Sequence, residues 1–82
     1  MSKAKQPSTD MVEQMVVEEA KRVGVRASAV WNGIKIPKAV LVRGRVALRL
    51  SDAGYSNYGI AKRLGIDASS IHHYKRNRER WL

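Results

Sequence analysis

Gly24, Gly33, Gly54 and Gly65 stand at the ends of short runs whose apolar residues recur at helical spacing. A chain punctuated in this way can only pack short helices on one another. Strand signals are nearly absent, because the one alternating fragment, Ile34-Lys35-Ile36, is too short to make a sheet. The expected fold is all α, a small bundle of four to five helices. With 82 residues and no cysteine, the core is thin, has no disulfide framework, and offers no thiolate nucleophile or sulfur-bound zinc.

Residues 1–9 hold no periodic apolar residue, which predicts a flexible tail, and 10–82 then form a single domain. Ser8, Thr9 or Asp10 can cap a first helix with an apolar stripe of Val12, Met15, Val16, Ala20 and Val23, stopped by Gly24. Its acids Glu13, Glu18 and Glu19 sit off that stripe, which suits solvent or a basic neighbour. A single helical turn is expected within Arg26 to Gly33, with Ser28 as a candidate cap. Pro37 is well placed at the first position of the longest helix, running to about Asp52. At about 100° per residue, Val40, Ala47 and Leu50 share one side, flanked by Ala39, Gly44 and Leu48, while Lys38, Arg45 and Arg49 align opposite. One face is read as core and the other as basic. Arg43 breaks the pattern, so its stem packs and its head either escapes or finds a carboxylate.

Charge gives the first sign of a partner. Residues 1–20 carry Lys3 and Lys5 against four acids, a net of −2, whereas residues 21–82 carry 14 Lys and Arg against Asp52, Asp67 and Glu79, a net of +11. A polyanion is the natural partner for so basic a segment. No run approaches the roughly 18 apolar residues of a membrane span, and the first residues lack the apolar stretch of a signal peptide, so a cytoplasmic protein is expected.

The most informative stretch is Asn57 to Arg76. It reads as two short helices around Gly65, the first capped by Ser56 and burying Ile60, Ala61 and Leu64, the second capped by Asp67 and burying Ile71 and Tyr74. A small residue at Ala61, glycine four later and a branched aliphatic at Ile71 resemble the helix-turn-helix of DNA-binding proteins, here spanning about 56–80. The resemblance implies that the second helix enters the major groove of duplex DNA. More loosely, the order of elements from Val12 to Arg80 is similar to the C-terminal DNA-binding domain of the bacterial replication initiator DnaA. Ser56 four before Ile60, and Ser70, Ile71 and His73 against that family's Thr-Val-x-His, carry the likeness. Where the family has Gly-Gly-Arg-Asp-His-Thr-Thr-Val, this chain has Gly65-Ile66-Asp67-Ala68-Ser69-Ser70-Ile71, one residue shorter, lacking the arginine and with Ala68 for histidine. The family's specific DNA site is therefore not carried over. Nor do these residues hold a counterpart of its ATPase module.

The motif places Ala68, Ser69, His72, His73 and Arg76 at the base edges, where the Arg76 fork can bond guanine O6 and N7 or a phosphate. Phosphate contacts are expected from Arg45, Arg49, Asn57, Lys62, Arg63, Lys75 and Arg78. Tyr55 and Tyr58 either bond phosphates or pack. Trp31, Trp81 and Leu82 are core or a dimer contact. His72 and His73 are adjacent and point about 100° apart, so they do not chelate one ion, and no metal or cofactor is expected. The Ser and His residues of this helix have no oxyanion cradle or pocket behind them, which argues against an enzyme.

The leading expectation is a double-stranded DNA-binding protein, a small transcriptional regulator or replication-associated factor of a bacterium or its phage. The alternatives are a phage packaging or recombination factor, an RNA-binding protein, and an adaptor docking a host protein through its acidic first helix or C-terminus. A homodimer would use the first helix, the Trp31 region or the C-terminus, since no heptad zipper is present.

Overall fold

The structure is a computed structural model, and it describes residues 6–33 and 35–82. Its helices are α1 (Thr9–Val23), α2 (Ala27–Trp31), α3 (Pro37–Asp52), α4 (Asn57–Leu64), α5 (Ala68–Arg76) and α6 (Arg78–Trp81), with no strand among the described residues. The chain is all α. The short α6 is one element beyond the expected four to five.

Helix α1 starts where Ser8, of the three candidate caps, accepts a hydrogen bond from the Met11 amide, and it ends at Gly24 in the left-handed conformation. Residues 1–5 of the expected tail, and Ile34 of the alternating fragment, lie outside the described residues. Pro7, however, is buried, and its carbonyl accepts from Arg63 Nε at 2.8 Å. The last residues of the expected tail are thus part of the packed domain. Two other expected caps differ. Helix α2 starts at Ala27 with Arg26 before it, so Ser28 lies inside the helix, and Asp67 holds the cap position of α5 without its side chain accepting a bond.

Helix α3 is the hub. It packs against α1, α2, α4, α5 and α6, and Ala39, Val42, Arg43, Gly44, Val46, Ala47, Leu48 and Leu50 are all buried. Val42 and Val46 are fully buried although they lie outside the stripe the sequence suggests, and Val40 is only half-buried. Around α3 the core is completed by Val12, Val16 and Ala20 of α1, Val30 of α2, Ile60, Ala61 and Leu64 of α4, and Ile71 and Tyr74 of α5. Each such large apolar side chain contributes about 1.5–3 kcal/mol on burial, set against the entropy of ordering the chain.

The basic side of α3 is the main departure from expectation. Arg45 and Arg49 do not form an open basic face; they are partly exposed but turned toward α1 and, for Arg45, the C-terminus. Glu19, only 5% exposed, receives Arg45 Nη1 at 3.5 Å and Arg49 Nη1 at 3.1 Å, while Arg49 also meets Glu18 at 3.3 Å. Arg45 further donates to the carbonyls of Trp81 and Leu82 at 2.9 and 3.0 Å. Solvent-exposed ion pairs are worth about 1 kcal/mol or less, but a buried carboxylate left unpaired costs several times that, so the two arginines are what permit Glu19 to be inside. Arg43 corrects another expectation. Among the described residues its guanidinium forms no ion pair with a carboxylate and instead donates to the carbonyls of Val30, at 3.1 and 2.9 Å, and of Ala29, at 3.3 Å. It caps the carbonyl end of α2, where a helix favours positive charge.

Trp81 closes the bundle over Gly44. A methyl group on Gly44 would stand 2.7 Å from the indole Cε3 and 2.9 Å from Cδ2, so only glycine lets the ring lie against α3. The ring also meets Tyr74 edge-on at 4.9 Å, within the favoured range for aromatic pairs. Leu82, by contrast, is exposed. Replacing Gly44 by Ala should add about 1 kcal/mol of helix propensity but incur an overpacking cost of about 1–3 kcal/mol. The expected outcome is a lower melting temperature and, in a Trp31→Phe background, red-shifted Trp81 emission. In a Trp81→Ala background the same substitution should stabilise, and an unchanged sign between the two backgrounds would refute the contact.

Candidate nucleic-acid interface

The α4 and α5 pair is built on one close crossing. Ser56 accepts from the Gly59 amide to start α4, Gly65 ends it at φ 72°, and its amide donates to the Ala61 carbonyl. That left-handed residue turns the chain within a few residues into α5. Ile60, Ala61 and Leu64 then pack with Ile71 and Tyr74, all buried, so the apolar side of each helix is spent on the other and on α3.

What remains outward on α5 follows from helical geometry. Ser69 and Arg76 lie within about 20° of each other, opposite the buried pair, with His72 and His73 displaced about 50° to either side. All four are exposed. Ala68 is different, being half-buried and packed against the core. His73 leans toward the C-terminus: its ring stands 6.1 Å from that of Trp81 in an edge arrangement and 6.2 Å from that of Tyr74, and Nδ1 is 3.4 Å from Asn77 Nδ2. The structure therefore brings Ser69, His72 and Arg76 onto one open face and puts His73 at its edge. Burial raises the Tyr74 phenol above its ordinary value of 10.0, with nearby Arg43 pulling the other way, so the ring is neutral at physiological pH.

The cations expected to meet bases or phosphates divide into two groups. Arg45 and Arg49 are held by α1 and the C-terminus as described, and Arg78 pairs with Asp52 at the end of α3. Lys62, Arg63, Lys75 and Arg76 are exposed and have no carboxylate partner among the described residues. Neither α4 nor α5 contains an acidic residue, and Asp67 alone stands between them. The acids of the chain are concentrated on α1, where two of them are used on α3.

Three features were not legible in the sequence. Tyr55 and Tyr58 looked alike, but Tyr55 packs against the core whereas Tyr58 is 64% exposed, with Lys62 Nζ 5.8 Å from its ring centre. The spacing of four between Tyr58 and Lys62 within α4 is the local signal for that contact. Asn57, expected to touch phosphate, instead has Oδ1 accepting from Lys75 Nζ at 2.7 Å and Nδ2 within 3.3 Å of His72 Nε2. The pairing of Arg78 with Asp52 likewise spans elements far apart in sequence.

No protein-family model, curated protein or solved structure matches the chain. Among the described residues, no helix is long and apolar enough to cross a membrane.

The Asp52 and Arg78 pair ties α6 to the end of α3 and gives a pH signature. The Arg78 guanidinium beside it holds the Asp52 carboxyl below its ordinary value of 3.8. A depressed folded-state value means that the pair's contribution is fully present above the ordinary value and is lost as pH falls through the lower, folded one. The melting temperature of the wild-type protein should therefore exceed that of Asp52→Asn by a small, constant margin above about pH 5, closing below about pH 4. A margin that persists at pH 2 would refute the assignment.

Proposed function

We propose that the protein binds double-stranded DNA, with α4, Gly65 and α5 as a helix-turn-helix and α5 as the helix that enters the major groove. The observation that carries this reading is the pairing of two acid-free helices whose apolar sides are consumed in the core, leaving an open face of Ser69, His72 and Arg76. A helix presented in this way fits the width of the B-DNA major groove, and Arg76 is the side chain best suited to a base contact there. Lys62, Arg63 and Lys75 flank the face and suit phosphates. His73 joins from the edge, and Ala68 offers a small apolar surface at the start of α5.

Arg45, Arg49 and Arg78 are assigned to the scaffold in this reading, because each is already satisfied by a carboxylate. Asn57 likewise acts within the protein. The role is that of a small regulator or replication-associated factor, and the similarity to the DnaA C-terminal domain in the order of elements is part of what supports it.

Binding by Lys62, Arg63, Lys75 and Arg76 predicts a definite salt dependence. Four neutralised phosphates should reduce affinity about 150-fold between 50 and 200 mM salt, less steeply than if the α3 arginines also engaged. Fluorescence anisotropy with selected and random duplexes checks this. Arg76→Ala should lose the enriched sequence by about 1–3 kcal/mol, whereas Arg49→Ala should lower thermal stability but leave the salt slope unchanged. Weak, salt-insensitive binding with no enriched sequence would overturn the proposal.

A further inference from the structure

The contact between α4 and α5 fixes a proton on a residue of the open face. Lys75 Nζ, an ammonium with no accepting capacity, lies 2.7 Å from Asn57 Oδ1. That contact settles which end of the Asn57 amide is oxygen, and the amide NH2 is left facing His72 Nε2 at 3.3 Å. An NH2 group only donates. His72 Nε2 must therefore accept, which requires the neutral ring with its proton on Nδ1. His72 is exposed, and Nδ1 has no partner among the described residues.

We infer that Asn57 is a positioning residue that sets the tautomer and orientation of His72, and that His72 is a specificity-determining residue presenting a single N–H donor on α5. This rests on the reading of α5 as the groove-facing helix. A fixed lone donor in the major groove takes purine N7, guanine O6 or thymine O4, and is refused by the amino groups of cytosine and adenine. Neither Asn57 nor Lys75 needs to touch DNA for this. Lys75 orients the amide, the amide orients the ring, and the ring selects.

The first test uses the full chain without DNA. Long-range proton–nitrogen correlation spectra of the 15N-labelled protein at pH 8 report the tautomer of each histidine separately. The expected result is His72 protonated on Nδ1 in the wild type, shifting toward the Nε2-protonated form in Asn57→Ala and in Lys75→Ala, with His73 unchanged in both. An Nε2-protonated His72 in the wild type, or a tautomer indifferent to both substitutions, overturns the positioning role. The second test selects duplexes with the wild type and with Asn57→Ala. Discrimination at one base position should fall about 3- to 10-fold, the size of one hydrogen bond, with the salt slope unchanged. The two results separate cleanly: the expected tautomer without any selected sequence rejects the DNA reading and with it the specificity role, while a selected sequence without the tautomer rejects only the role of Asn57.

Discussion

Helix α3 touches all five other helices, and half of its residues are buried. A single central helix is an economical solution for a chain this short, because one element can lend its surface to several neighbours too small to bury their own. It also imposes a condition, since the arginines that α3 carries must be satisfied inside the molecule. Arg43 meets the condition with the carbonyl end of α2, Arg45 with Glu19 and the last two carbonyls, and Arg49 with Glu18 and Glu19. Glycine at position 44 meets a second condition by leaving room for Trp81. Remove either arrangement and the C-terminus and α1 lose their seats on the hub.

The same arrangement sorts the charge of the molecule. Glu18, Glu19 and Asp52 are spent on Arg49, Arg45 and Arg78, so pairing neutralises arginines of the scaffold and leaves the exposed cations of α4 and α5 without carboxylates. A net charge of +9 spread evenly would give a weak field everywhere. The four exposed cations of α4 and α5, two adjacent helices that carry no acid, add a local positive field on that face, which favours steering a polyanion onto it. The proposed DNA-binding role draws on that local field together with the total.

Much of this was visible in the residues. The helical periodicity, the stops at Gly24 and Gly65, Pro37 at the start of α3 and Ser56 before α4 are local signals, and the elements they specify form at those places. The apolar sides of α4 and α5 are also local, so Ser69, His72 and Arg76 were identifiable as outward residues from spacing alone. The partners of the α3 arginines are not legible in this way, because spacing shows which side chains align but not what lies opposite them. Helix α1 supplies acids 26 and 30 residues earlier in the chain, and no period connects them.

Asn57 illustrates the division most directly. Its position at the start of α4 suggested a phosphate contact, but α5 crosses so that Lys75 and His72 reach the amide from 18 and 15 residues away. By itself the sequence determined that the chain is helical, where α1, α3, α4 and α5 begin, which side of α5 is polar, and that the net charge is strongly positive. The charge is a matter of composition, and the other properties depend on neighbours within about one helical turn. Only the tertiary structure decided which cations pair with carboxylates, which do not, and which side chains meet the Asn57 amide. These depend on the crossings of α1, α4, α5 and α6 around α3, and a crossing is set by packing between residues far apart in the chain.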